Sequence, residues 1–322
     1  MSYLIQPSNK SINQTNLFGF DKYFAIFKKL YDKNLLPNKI LISGISGLGK
    51  ATFAYHFINF ALSFNEKNNY NPVDFKIHNS NRTFNLIKNN AHPNFFLIDL
   101  IEGQQSIDIN QVKNMINYSN KTTFSQNKKF ILIDNVENLN NYSANALLKI
   151  IEHPNDNTFY ILIHDSSKPI VKTLKSRCVE FKILFSYKEK KKVTKKLFEQ
   201  NSILENFELL DGLSSYYDSP GFLLNLYYIV VKNGFLNKKI DADDFLIKFI
   251  DTYNNNIKHS NFSLLRNILE LFIYKKLINS NNKTNIYSLY SRLMNKIDVS
   301  IKYNLDLNNL FFEIKKNYLN AK

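Results

Sequence analysis

The run Gly44-Ile-Ser-Gly47-Leu-Gly49-Lys50 combines residue types that together suit one task, the holding of a phosphate group. Glycines let successive backbone N–H groups turn inward around anionic oxygens, a helix starting at the lysine adds its dipole, and Lys50 adds a point charge. Such a run acquires meaning from its flanks: a strand must enter it and a helix must leave it. Lys39-Ile-Leu-Ile-Ser43 reads as the strand and residues 50–64 as the helix. The run is therefore read as a phosphate-binding loop, or P-loop, with ATP, ADP or phosphate as its ligand class.

The position after the lysine speaks against turnover. A hydroxyl is wanted there to ligate Mg²⁺. Ala51 occupies it, and Thr52 comes one residue late, about 100° further round a helix. A second apolar strand, Phe130-Ile-Leu-Ile, ends in Asp134, a carboxylate able to hold Mg²⁺ through water. A Glu that would orient the attacking water is expected next, but Asn135 stands there, and an amide is no base at neutral pH. Glu137, two residues on, is expected to face solvent or a loop rather than to substitute.

These residues need a frame. Tyr23, Phe24, Phe27, Leu30 and Tyr31 recur at helical spacing over 21–34, and a polar, Asn-rich stretch separates the helix at 50–64 from Pro93. Strands are expected at 95–100, 130–134, 159–163 and 179–181, alternating with helices at 109–116 and 143–152, the latter closed by Pro154. Strands alternating with helices predict an α/β fold, a parallel sheet covered on both faces. Beyond about Phe185 the β signal fades. Segments 187–200, 221–233, 241–253, 262–279, 284–297 and 305–319 all read as amphipathic helices. The expected organisation is an α/β domain at 1–183, a small helical domain at 184–238 and a helical bundle at 239–322.

Composition narrows the class. A chain of 322 residues with 44% hydrophobic residues, 27 Phe and 19 Tyr has ample apolar surface for more than one packed domain. Its apolar runs are strand-sized, too short to cross a bilayer, and Met1-Ser-Tyr-Leu-Ile-Gln-Pro7 lacks the layout of a secretory signal. Cys178 is the only cysteine, which excludes an internal disulfide and a Cys-rich zinc site and fits a reducing cytoplasm. The formal charge of +15 has two readings, an attraction to nucleic acid or a coding bias that raises Lys along with Asn, Ile and Phe. Lys188 to Lys196 divides in the same way. It is a solvated helix face with Val193 and Leu197 turned inward, or a contact to a phosphate backbone.

Taken in order, the P-loop, the apolar strand ending in Asp134, Asn145-Ala-Leu-Leu-Lys149 and then Ser176-Arg177-Cys178 resemble the bacterial clamp-loader branch of the AAA+ proteins, which serve DNA polymerase III in replication. Ala91-His-Pro-Asn94, Ile107-Asp-Ile-Asn-Gln-Val-Lys113 and Asn304-Leu-Asp306-Leu fit the same pattern. The resemblance covers the whole chain, strongly to about Phe181 and weakly beyond. There are departures. His153 precedes Pro154 where the family has Glu, His164 stands where a sensor Thr or Asn is usual, and Phe222 comes after Ser219-Pro220-Gly221 where an Arg senses the γ-phosphate. The zinc module common in such subunits is ruled out by the single cysteine.

The resemblance implies an AAA+ P-loop domain, a helical lid and a C-terminal collar that joins other subunits. It implies gamma/tau and delta clamp-loader subunits, a sliding clamp and, through the complex, primed DNA as partners, with no membrane. Gly44, Gly47, Gly49, Lys50, Thr52 and Asp134 would then form a vestigial nucleotide site, with no metal bound. Arg177 would act in trans on a neighbour's ATP, a role suited to a planar and permanently charged fork. The plain alternative for Arg177 is an arginine that ties a loop to a carboxylate. Two further readings of the whole chain remain: an active gamma/tau-type ATPase, and a free-standing nucleotide- or nucleic-acid-binding protein.

Overall fold

Three of the strands are buried along nearly their whole length: β1 (Lys39–Gly44), β3 (Lys129–Ile133) and β4 (Thr158–Asp165). Runs of Ile, Leu and Phe without polar alternation have no face to show to water, so they take the middle of a sheet covered on both sides. The computed structural model, which describes residues 10–101, 104, 106–120, 128–155, 157–203, 219–232, 273, 277, 283–303, 305, 309, 312, 315 and 316, places them there. With β2 (Phe95–Ile98) and β5 (Val179–Lys182) at the edges, the order is β2-β3-β4-β1-β5, and all pairs are parallel. The P-loop strand β1 thus lies between β4 and β5, and β4 separates it from the Asp134 strand β3.

Successive side chains of a strand point to opposite faces, and here they feed two distinct cores. Ile40, Ile42, Phe130, Leu132, Ile161 and Ile163 pack with α1 (Asp21–Asp32) and α2 (Lys50–Leu62). Phe27 meets Phe53 edge-on at 4.9 Å between ring centres, and Phe20 stacks on Phe53 at 5.0 Å. Leu41, Ile131, Ile133 and Leu162 pack on the other face with α4 (Ile109–Ser119) and α5 (Asn141–Glu152), through Val112, Met115, Leu147 and Ile151.

The α/β class and the parallel sheet expected from the sequence are present, with strand and helix bounds shifted by a few residues. Two short helices went unread. α3 (Arg82–Lys88) lies inside the Asn-rich stretch, where Asn81 accepts from the Phe84 N–H and Glu66 caps the Arg82 and Thr83 N–H groups. α6 (Lys172–Ser176) is a single turn pinned by the buried Leu174. Neither is long enough to display a hydrophobic period.

The chain divides into two compact units. One comprises Ile5–Leu204 with Asp218–Leu224, the other Met1–Leu4, Glu205–Tyr217 and Asn225–Lys322. The first includes α7 (Tyr187–Gln200), opened by a capping box between Ser186 and Glu189. Val193 of α7 is buried in the same core as Phe185, and Leu197 packs against it, as the amphipathic reading of the lysine cluster requires. Helices α8 (Pro220–Lys232) and α9 (Lys283–Tyr303) match the segments expected at 221–233 and 284–297. The helix expected at 241–253, nearly all of that at 262–279 and most of that at 305–319 lie outside the described residues, as do Asn304 and Asp306. No helix among the described residues is long and apolar enough to cross a membrane.

Candidate functional site

β1 ends on Gly44 and α2 begins at Lys50, so the glycine run is a strand-to-helix loop at the carboxyl edge of the sheet. Gly47 and Gly49 have φ of +76° and +91°, a region in which a side chain is strained. A Cβ on Gly47 would also drive into the Ser219 hydroxyl. The Lys50 side chain is folded into its own loop, donating to the carbonyls of Gly44 at 2.7 Å and Ile45 at 2.8 Å, with 5% of the residue exposed. Burial lowers the Lys50 pKa, against the opposing fields of Asp165, Asp134 and Glu137.

The loop is covered by residues 219–222, distant in sequence but part of the same compact unit. The Gly221 N–H donates to the Gly47 carbonyl at 2.9 Å, and Ser219 accepts from the Phe222 N–H at 3.3 Å to cap the first turn of α8. A helix start offers unpaired N–H groups and a positive dipole end that suit an anion. Here a P-loop carbonyl takes one of those donors. Phe222 lies half-buried in this turn.

Beside the loop stand the strand-end acids. Asp134 comes directly after β3 and Asp99 directly after β2, two strands that are adjacent and parallel. Burial and the neighbouring Asp99 charge push the Asp134 pKa up to about 7, and burial raises that of Asp99 as well. Asn135, at a left-handed φ of 55°, donates its backbone N–H to Asp134 at 2.9 Å and its side-chain amide to Asp99 at 2.8 Å. A glutamate at this position would keep the backbone N–H on Asp134 but bring a third carboxylate where a side-chain amide now donates to Asp99. Ala51 is buried in the Phe-rich core, and Thr52 is half-buried one position on. Glu137 takes the second of the two surroundings expected of it, a loop: its side chain is 2% exposed, accepts from the Asp165 N–H at 3.1 Å and lies 3.6 Å from the Lys168 ammonium. His164 donates from Nε2 to the Lys168 carbonyl at 3.0 Å, closing the same loop.

Of the residues singled out in the sequence, Gly44, Gly47, Gly49, Lys50, Thr52 and Asp134 therefore converge at one edge of the sheet. Arg177 does not join them. It ends α6 just before β5, and because Ile40 pairs with Val179 in parallel register, it lies at the opposite edge. β1 has six residues at about 3.3 Å each, so ~15–20 Å of sheet separates Arg177 from its own P-loop. Arg177 instead meets Glu152, the last residue of α5, with Nε at 2.8 Å and Nη2 at 2.7 Å from the same carboxylate oxygen. The tie to a carboxylate considered for this arginine is present.

Asp99 and Glu152 were missed in the sequence. Asp99 carried a signal, since Phe96-Leu-Ile-Asp99 repeats the apolar-run-plus-acid pattern of Ile131-Leu-Ile-Asp134. Glu152 carried none beyond its place at a helix end.

Residues 20–185 match the protein-family model described as DNA polymerase III, delta subunit. The chain is similar to DNA polymerase III subunit delta' of Pseudomonas aeruginosa, 26% identical over 156 residues, which is 48% of this chain and 46% of that protein. It is likewise 26% identical over 154 residues to the Haemophilus influenzae subunit delta', covering 48% of this chain and 45% of that one. The chain thus spans about half the length of the curated relatives it matches. Among solved structures, a DNA polymerase III gamma subunit-related protein from Thermotoga maritima is similar at 15% identity and a TM-score of 0.47, over 93% of this chain and 99% of that one.

Proposed function

Because the chain belongs to the DNA polymerase III delta-prime subunit family, we propose that it is a non-hydrolysing clamp-loader subunit that assists a neighbour's ATPase. In this reading it assembles with gamma/tau and delta subunits, and the complex places a sliding clamp on primed DNA. Residues 1–183 form the AAA+ P-loop domain, 184–238 the lid, and 239–322 the collar segment that joins the other subunits.

The observation that carries the proposal is that P-loop carbonyls and the Lys50 ammonium are engaged by the protein's own groups. Gly221 N–H holds the Gly47 carbonyl, and the Lys50 ammonium holds those of Gly44 and Ile45. The loss of the metal-ligating hydroxyl at Ala51 and of the water-orienting carboxylate at Asn135 points the same way. An idle site at one edge of the sheet and an arginine at the other support action in trans, because Arg177 cannot reach its own loop across the sheet. An active gamma/tau-type ATPase is disfavoured by the same losses.

Size-exclusion chromatography of this chain with gamma/tau and delta subunits tests the proposal. A clamp-loader subunit co-migrates with them in a complex. A protein that elutes alone at every ratio is a free-standing binding protein, and the proposal fails.

A further inference from the structure

We infer that Glu152 is the positioning residue for Arg177, gripping the guanidinium by its inner edge so that the outer edge is presented to a phosphate of the neighbouring subunit. The inference rests on the proposed trans-acting role of Arg177.

Arg177 spends Nε and Nη2 on one oxygen of Glu152, and Nη1 on the Thr173 carbonyl at 3.1 Å. Guanidinium carries five N–H donors in a rigid plane. Contacts on both flanks fix the orientation of that plane and leave donors at its outer end. The side chains remain accessible, at 37% and 42% exposure for Arg177 and Glu152. Their backbones are anchored from below, by Ile151 in the core next to Glu152 and by Leu174 within the turn that Arg177 ends.

The placement of Glu152 is locally unfavourable. A carboxylate in the last turn of a helix sits against the negative end of the helix dipole, where cations are preferred. An ion pair this exposed contributes little to folding, so stability does not account for the arrangement. Local rules broken without a gain in stability mark functional positions. An arginine needed in one orientation supplies the reason, since its long side chain otherwise spreads over many rotamers and a misplacement of about 1 Å at a reacting group can cost about a hundredfold in rate.

The test uses the reconstituted clamp loader and measures clamp- and DNA-stimulated ATP hydrolysis, with co-migration of every variant checked first. Arg177→Ala is expected to lower kcat by about a thousandfold. Glu152→Ala is expected to lower kcat by about tenfold with KM unchanged, because the arginine is present but unaimed. Glu152→Gln should recover part of that loss, since an amide oxygen still accepts from the fork. The double variant should be no slower than Arg177→Ala. If Arg177→Ala is slow while Glu152→Ala turns over at or above the wild-type rate, or changes only KM, the finger stands and the positioning role of Glu152 falls. If Arg177→Ala itself matches wild type, the trans-acting reading falls and takes this inference with it.

Discussion

The N–H of Gly221 donates to the carbonyl of Gly47 at 2.9 Å, closing the start of a helix over the middle of the P-loop. A phosphate entering that loop would compete with the Gly44 and Ile45 carbonyls for the Lys50 ammonium. It would then lack the hydroxyl that normally ligates its metal ion.

Isolated protein is therefore expected to show no significant ATP turnover and to bind ATP weakly, with little dependence on Mg²⁺. Calorimetry with and without Mg²⁺, alongside a phosphate-release assay, checks both parts. Turnover near 1 s⁻¹ that disappears in Lys50→Ala, or tight binding that strictly needs the metal, would show that another residue supplies the missing ligand.

Gly47→Ala should destabilise the fold by about 1–3 kcal/mol, because the residue would be held at a left-handed φ and its methyl would press on Ser219. Denaturant unfolding reads this as a lower midpoint at unchanged slope. An unchanged midpoint would mean that neither the left-handed φ of Gly47 nor its close approach to Ser219 holds in solution.

Asp134→Asn should stabilise the protein increasingly as pH rises. The carboxyl is pushed up to about 7 in the folded chain against 3.8 for the ordinary value, so its folded form is favoured below about 4 and loses stability as pH climbs through 4–7. Asparagine has no proton to lose and still accepts from the Asn135 N–H. The difference between variant and wild type should therefore be near its minimum at pH 4 and grow by ~1 kcal/mol or more by pH 8. Urea midpoints of both proteins across that range decide it, and parallel curves would exclude a buried, strained carboxylate.

Arg177→Lys should rescue the reconstituted complex poorly compared with native Arg177. An ammonium keeps the charge but not the planar fork, so it can pair with Glu152 without offering two further directed donors. ATP hydrolysis by the assembled complex is the readout. A lysine variant at the wild-type rate would reduce the role of Arg177 to bare charge.

The amino-acid sequence by itself determined the α/β class, the strand positions and the convergence of Gly44 to Lys50 with Asp134. Its reasons are local: apolar runs without alternation must be buried on both faces, and a glycine run between strand and helix has one geometry. It also announced Ala51 and Asn135 as lost functions, because a missing hydroxyl or carboxylate is chemistry in any fold. Tertiary structure alone decided who meets whom across the chain. Gly221 reaches Gly47, Asn135 bridges to Asp99, and Glu152 takes Arg177, partners set by strand order and helix docking rather than by any spacing along the sequence. Glu137 shows the same limit, since only the packing of its loop against the end of β4 buries it. The separation of Arg177 from its own P-loop likewise comes from parallel register, which puts the entry to β5 and the exit from β1 at opposite edges of one sheet.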